Sequence, residues 1–166
     1  MGTGKTSVGQ MLARLLRFRL VDTDDLIARR TGKPISAIFA EGGEAKFREH
    51  ESAVVEELFR YRKTVIAAGG GLVTNPANIA SLKTHALVVC LWASPETIWE
   101  RTKHQSSRPL LLEADPLGKI QSLLAAREPF YRQADVLVST ELRSVKEVAH
   151  QVAHQFRSAR QQPVAP

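Results

Sequence analysis

The chain has 166 residues, 43% of them hydrophobic and 24% charged, the proportions of an ordinary globular protein with room for a real core. Its 23 basic and 17 acidic residues leave a net charge of +6, but no five-residue basic run occurs, so the excess fits small anionic substrates rather than nucleic acid. One cysteine excludes a disulfide framework and a Cys-based zinc site. No signal peptide or apolar stretch of membrane-spanning length is visible, so the expectation is a cytoplasmic monomer with no nucleic-acid or membrane partner.

Helical and strand patterns alternate along the chain. Val8, Met11, Leu12, Leu15 and Leu16 make one face of a helix from Ser7 to about Arg17. Phe18–Val21 reads as a short strand running into Asp22-Thr23-Asp24. Short helices are expected at Asp25–Arg30 and Ile35–Ala40, separated by Thr31-Gly32-Lys33-Pro34. Glu44 to Tyr61 predicts a longer helix with Phe47, Val54, Val55 and Leu58 as its stripe.

A second strand at Thr64–Ala68 leads straight into Gly69-Gly70-Gly71. After a helix near Asn78–Lys83 comes a third strand, Ala86–Trp92, which holds Cys90 as a buried, inert thiol. Ser94 and Pro95 open the next helix as N-cap and first position. His104 to Pro116 is irregular. A helix at Leu117–Gln133, a strand at Val136–Ser139 and a helix at Val145–Phe156 complete one domain over 1–158, with 159–166 as a disordered tail. Buried-type strands alternating with helices predict a parallel α/β sheet covered on both faces.

Three constellations suggest chemistry. Gly2-Thr3-Gly4-Lys5-Thr6 is the second half of a phosphate-binding loop: small residues let backbone N–H groups turn toward phosphate oxygens, Lys5 reaches the β- and γ-phosphates, and the Thr6 hydroxyl suits Mg²⁺. Asp22 and Asp24, two apart on extended backbone, would face one side, one for Mg²⁺ and one to accept a hydroxyl proton. The competing reading is that Thr23, Asp24 or Asp25 caps the following helix. Gly69-Gly70-Gly71 suits a close backbone approach to a ligand. Glu44, Arg48 and Glu51 share a helix face; ordinary surface pairing accounts for them on sequence grounds, the alternative being a guanidinium braced by a neighbouring carboxylate that grips a substrate carboxylate. Arg101, Arg108 and Arg127 are uninformative singly, although Arg108 stands where a lid could deliver charge to a phosphoryl group.

In order and spacing, Met1-Gly2-Thr3-Gly4-Lys5-Thr6, Leu20-Val21-Asp22-Thr23-Asp24, Gly43-Glu44 through Arg48 to Glu51, Gly69-Gly70-Gly71, Arg108-Pro109-Leu110-Leu111 and Arg127 through Tyr131 resemble the shikimate kinase family over Met1 to roughly Phe156. The resemblance implies a P-loop kinase-type three-layer α/β/α fold with a parallel sheet in the order 2-3-1-4-5. It implies Mg²⁺-dependent transfer of the ATP γ-phosphoryl group to the 3-hydroxyl of shikimate. Gly2, Thr3, Gly4, Lys5, Thr6 and Ser7 would then hold the nucleotide, Thr6 and Asp22 the metal, and Asp24 the reacting hydroxyl as base. Arg48, Gly70 and Arg127 would position shikimate, Arg101 would lie against the adenine, and Arg108 would close from a lid at about 103–116.

The first P-loop glycine and the strand feeding the loop find no match, so four strands are expected where the resemblance implies five. The expectation is that Met1 is internal and that a strand-length segment stands ahead of it. Gluconate kinase, a nucleoside monophosphate kinase and a non-catalytic binding relative remain as alternatives.

Overall fold

A computed structural model describes residues 2–104 and 115–161. Seven helices and four strands alternate in the described residues: α1 (Lys5–Leu16), β1 (Arg19–Asp22), α2 (Thr23–Thr31), α3 (Ile35–Leu58), β2 (Thr64–Ala67), α4 (Pro76–Lys83), β3 (Val89–Trp92), α5 (Pro95–Thr102), α6 (Pro116–Tyr131), β4 (Val136–Ser139) and α7 (Val145–Gln161). The expected α/β alternation is present. Strand β3 is shorter than expected, beginning at Val89, and α7 runs on through Gln161, five residues past Phe156. The expected tail therefore starts inside a helix, and residues 162–166 lie outside the described ones.

The strands form two parallel pairs, β1–β2 and β3–β4. Successive side chains on a strand face opposite ways, and each pair uses both faces. Leu20 pairs with Val65, and both lie close to Gly9 of α1. The next pair, Val21 and Ile66, turns the other way, where Ile66 meets a core of Ile27, Phe47, Val54, Val55, Leu58 and Leu72. On the second pair, Val89 with Val136 and Leu91 with Val138 pack against Val8 of α1 and Val148 and Val152 of α7. Phe18 meets Phe156 edge-on at 5.6 Å, fastening the end of α1 to α7.

The inner walls of the two pairs face one another across an apolar cavity of about 230 Å³, lined by Val65, Ile66 and Ala67 on one side and Cys90, Leu91 and Trp92 on the other. Cys90 is half-buried against this cavity rather than fully buried as expected. Burial still pushes its thiol pKa up, which keeps it unreactive.

Helix α3 carries a break at Gly43, whose φ of 65° and ψ of −166° are open only to glycine. The break separates the two helices expected on either side of it, and it starts a fresh helical turn at Glu44. Gly43→Ala is therefore expected to cost about 1–3 kcal/mol, read as a lower urea midpoint with an unchanged slope.

Candidate active site

The site assembles at the carboxyl ends of β1 and β2, the region where open parallel sheets bind ligands. Gly4, at φ 82°, caps α1 without a side chain, so the first turn presents its amides with Lys5 beside them. Thr6 and Ser7 are exposed on that turn, and Thr3 is buried beneath it. The positive end of the helix and this run of donors favour an anion.

Asp22 ends β1, and its Oδ1 accepts a hydrogen bond from the Asp24 amide at 2.9 Å, capping α2. This corrects two expectations. The backbone is not extended through Asp24, which lies in the first turn of α2, and the capping residue is Asp22 rather than Thr23, Asp24 or Asp25. The two carboxylates still stay close enough to repel. Burial first, and then Asp22, raises the Asp24 pKa, while Lys5 and Arg48 oppose the rise. Thr23 Oγ1 accepts from the Gly69 amide at 3.3 Å and ties the start of α2 to the glycine run.

Arg48 is braced on both sides. Its Nη2 and Nε donate to Glu44 Oε1 at 2.6 and 3.2 Å, and its Nη1 donates to Glu51 Oε2. Glu51 is fully buried, so surface pairing does not account for the set. A carboxylate without solvent needs a cation beside it. Burial nevertheless dominates and holds the Glu51 pKa above its ordinary value, with the Arg48 hydrogen bond pulling the other way. Residue 51 falls on the apolar stripe of Phe47, Val54, Val55 and Leu58, and a charge on that stripe was the sequence signal for its burial.

Glu51 Oε1 and Asp24 Oδ1 are buried without hydrogen-bond partners, and both look toward Gly69. A Cβ on Gly69 would stand 2.8 Å from Glu51 Oε1 and 3.5 Å from Asp24 Oδ1, and one on Gly71 would overlap the Arg48 guanidinium. The glycine run is thus a close-approach segment, and what approaches it here is side chains of the protein itself rather than the ligand expected from the sequence. Arg127 of α6 reaches the same place: its Nη2 lies 4.0 Å from Glu44 Oε1, and Tyr131 donates to the Gly70 carbonyl at 3.0 Å. Tyr131 and Glu44 were not read from sequence as site residues. Tyrosines and glutamates at helical spacing are too common to stand out.

Arg101 on α5 donates to Thr140 Oγ1 at 2.9 Å and to the Thr140 carbonyl at 2.7 Å, at the end of β4. Beside it, Glu141 accepts from the Ser94 amide at 2.8 Å and from Thr97 Oγ1 at 3.1 Å. Helix α5 also touches the loop, since a Cβ on Gly2 would press on Ile98 and Thr102. Arg108 and most of the expected lid lie outside the described residues. No cluster of three His, Cys, Asp or Glu occurs among the described residues. A Mg²⁺ bound together with a nucleotide takes one or two protein oxygens and draws the rest from phosphates and water. Thr6 and Asp22 are hard oxygen donors of the right kind.

The family model described as shikimate kinase matches residues 1–157. A shikimate kinase of Caldanaerobacter subterraneus subsp. tengcongensis is 41% identical over 94% of this chain and 91% of its own length. Among solved structures, a shikimate kinase from Acinetobacter baumannii in complex with shikimate superposes with a TM-score of 0.89 at 36% identity, covering 98% of this chain and 91% of that one. A gluconokinase from Sinorhizobium meliloti 1021 covers 96% of this chain and 92% of its own with a TM-score of 0.55 at 16% identity, a likeness of fold alone.

Arg48→Met is expected to cost about 3–5 kcal/mol near neutral pH by leaving the Glu51 charge buried and unpaired. The folded pKa of Glu51 lies above its ordinary value, so the chain binds more protons folded than unfolded, and stability from this group is fullest at low pH and falls as pH rises. The Arg48→Met loss should accordingly shrink toward pH 4 in urea titrations, and Arg48→Met with Glu51→Leu should recover most of it.

Proposed function

The chain belongs to the shikimate kinase family of ATP-dependent kinases, and from that premise we propose how its residues move the γ-phosphoryl group of ATP to the 3-hydroxyl of shikimate. The observation that carries the reading is the convergence of Arg48 and Arg127 on one carboxylate, Glu44, beside the half-buried Asp24. Two guanidiniums already gathered around a carboxylate form a grip for a substrate carboxylate, which would share or displace Glu44.

With the carboxylate held there and Gly70 against the ring, the hydroxyl lies toward Asp24. The α1 amides and Lys5 hold the β- and γ-phosphates, and Arg101 lies against the adenine. The hydroxyl oxygen attacks γ-phosphorus, the bond to the bridging oxygen of ADP breaks, and the hydroxyl proton passes to Asp24. The raised pKa of Asp24 brings it nearer to working pH, where a base both stays ionised and holds a proton well. Thr6 and Asp22 would hold Mg²⁺, which when bound supplies charge neutralisation for the phosphates. Burial of Glu51 fixes Arg48 in place and makes Glu51 a positioning residue. Arg108 enters this scheme by its sequence motif alone, as the closing lid charge.

Gluconate is also a hydroxylated carboxylate, so the deciding experiment is ADP release with Mg-ATP and either shikimate or gluconate. Release with shikimate alone is expected, and release with gluconate alone would overturn the reading. Asp24→Asn is expected to lower kcat by about 10²–10⁴, the usual worth of a positioned base, while calorimetry still detects nucleotide binding. Arg127→Ala should raise KM for shikimate about 10- to 100-fold, from the ~1.5–3 kcal/mol of a hydrogen bond to a charged group, and should leave KM for ATP unchanged.

A further inference from the structure

We propose that the open cavity at the carboxyl ends of α1 and α7 is a binding site for a small aromatic anion carrying two or more negative charges. It holds about 470 Å³, within the ~300–1,000 Å³ of small-molecule sites. Leu15, Phe18 and Phe156 supply its apolar floor, the two rings meeting edge-on. Arg17, Arg157 and Arg160 line the same space, and all three are exposed. Lys5 begins α1 and this cavity ends it, about 18 Å away along a helix of 12 residues. The place is therefore separate from the candidate active site.

The rim is a set of charges without counter-charges. Arg14, in the last turn of α1, adds a fourth guanidinium to this end of the molecule. Among the described residues none of the four side chains forms an ion pair or a hydrogen bond, and Arg160 alone has a partner, the Phe156 ring at 5.9 Å. Elsewhere the pattern is the opposite: Arg30, Arg48, Arg127 and Arg132 each face a glutamate.

Helix dipoles do not absorb this charge. Helices α1 and α7 run in the same direction, with Val8 against Val148 and Val152 and, further along, Phe18 against Phe156. Their negative ends therefore meet here, but each is worth only roughly half a charge, about one in total against four guanidiniums. The last carbonyls of α1 are also already taken, since the Arg17 and Phe18 amides donate to Ala13 and Arg14. A dianion or trianion offsets what remains. The floor sets the rest of the occupant: phenylalanine rings take another ring edge-on or offset, and guanidiniums stack on aromatic faces while pairing with anions. The basic residues form no continuous track, so a nucleic-acid strand is not the match.

The test is a titration of the 166-residue chain with naphthalene disulfonate, followed by amide NMR shifts. Residues 14–18 and 156–161 are expected to shift in one saturable process, while residues 2–7 and 69–71 stay in place. Inorganic sulfate, which has the charge without the ring, should bind at least tenfold more weakly. Arg157→Gln combined with Arg160→Gln should weaken the disulfonate at least tenfold, as two charge-assisted hydrogen bonds are lost. The thermal midpoint of the free protein should not move, because both side chains are exposed and neither is ion-paired.

The absence of any saturable shift would overturn the proposal, as would shifts confined to residues 2–7, which would place the anion on the phosphate-binding turn. Equal affinity for sulfate and the disulfonate would do the same, since the aromatic floor would then contribute nothing. So would undiminished binding by the double arginine variant. Tighter binding of a hexaglutamate peptide would make an acidic polypeptide the occupant and sink the small-molecule assignment. None of these readouts involves turnover, so they stand apart from the kinase reading.

Discussion

A carboxylate with no exposed surface lies under the site, and the arrangement around it follows from that one constraint. Glu51 cannot be left charged in an apolar interior without a cation, and Arg48 is the cation supplied, one turn away on the same helix. Once Arg48 is held by Glu51, its remaining donors point toward Glu44 and the open side of the site. The neighbouring backbone must then give way. Gly71 has no Cβ because the guanidinium occupies that space, and Gly69 has none because Glu51 and Asp24 do. A glycine run that looks like loop punctuation in the sequence is the complement of a buried ion pair.

The same constraint shapes the acid–base character of the site. Asp24 and Glu51 are both held above their ordinary pKa values, chiefly by burial, and each feels the other's charge or that of its neighbours. Arg48, Arg127 and Lys5 offset the accumulated negative charge without cancelling the cost of burial. A set of carboxylates next to three cations is costly as structure and useful as a place for an anionic substrate and a proton acceptor. The stability given up here is recovered in the packed faces of the strand pairs, where Val138, Val148 and Ala149 are nearly inaccessible.

The sheet poses the opposite problem. Its outer faces are well covered by α1 and α7 on one side and α3 and α4 on the other, yet its middle is a cavity lined from both directions. The strand pairs are linked through α1, whose residues contact both of them. Because α1 also carries the phosphate-binding turn, the order of the central sheet and the position of Lys5 are mechanically connected. Whatever tightens the junction of β2 and β3 also tightens the floor on which the loop rests.

The sequence by itself determined the alternation of helices and strands, the phosphate-binding turn, the glycine run and the arginines as candidates, because each depends on local periodicity or on backbone freedom at a single residue. It also separated the two helices on either side of Gly43. It did not assign Glu51 to the interior, since a glutamate on a helix face is ordinarily solvated and only the neighbours on the apolar stripe hinted otherwise. Nor did it place the cap on Asp22, because the choice among adjacent acidic residues depends on where the strand stops, and a four-residue strand has loose ends. Tertiary structure alone decided that Arg48 and Arg127, far apart in sequence, meet over one carboxylate with Tyr131 on the Gly70 carbonyl. The reason is physical: burial and pairing of charge are properties of the assembled core, and no local pattern carries them.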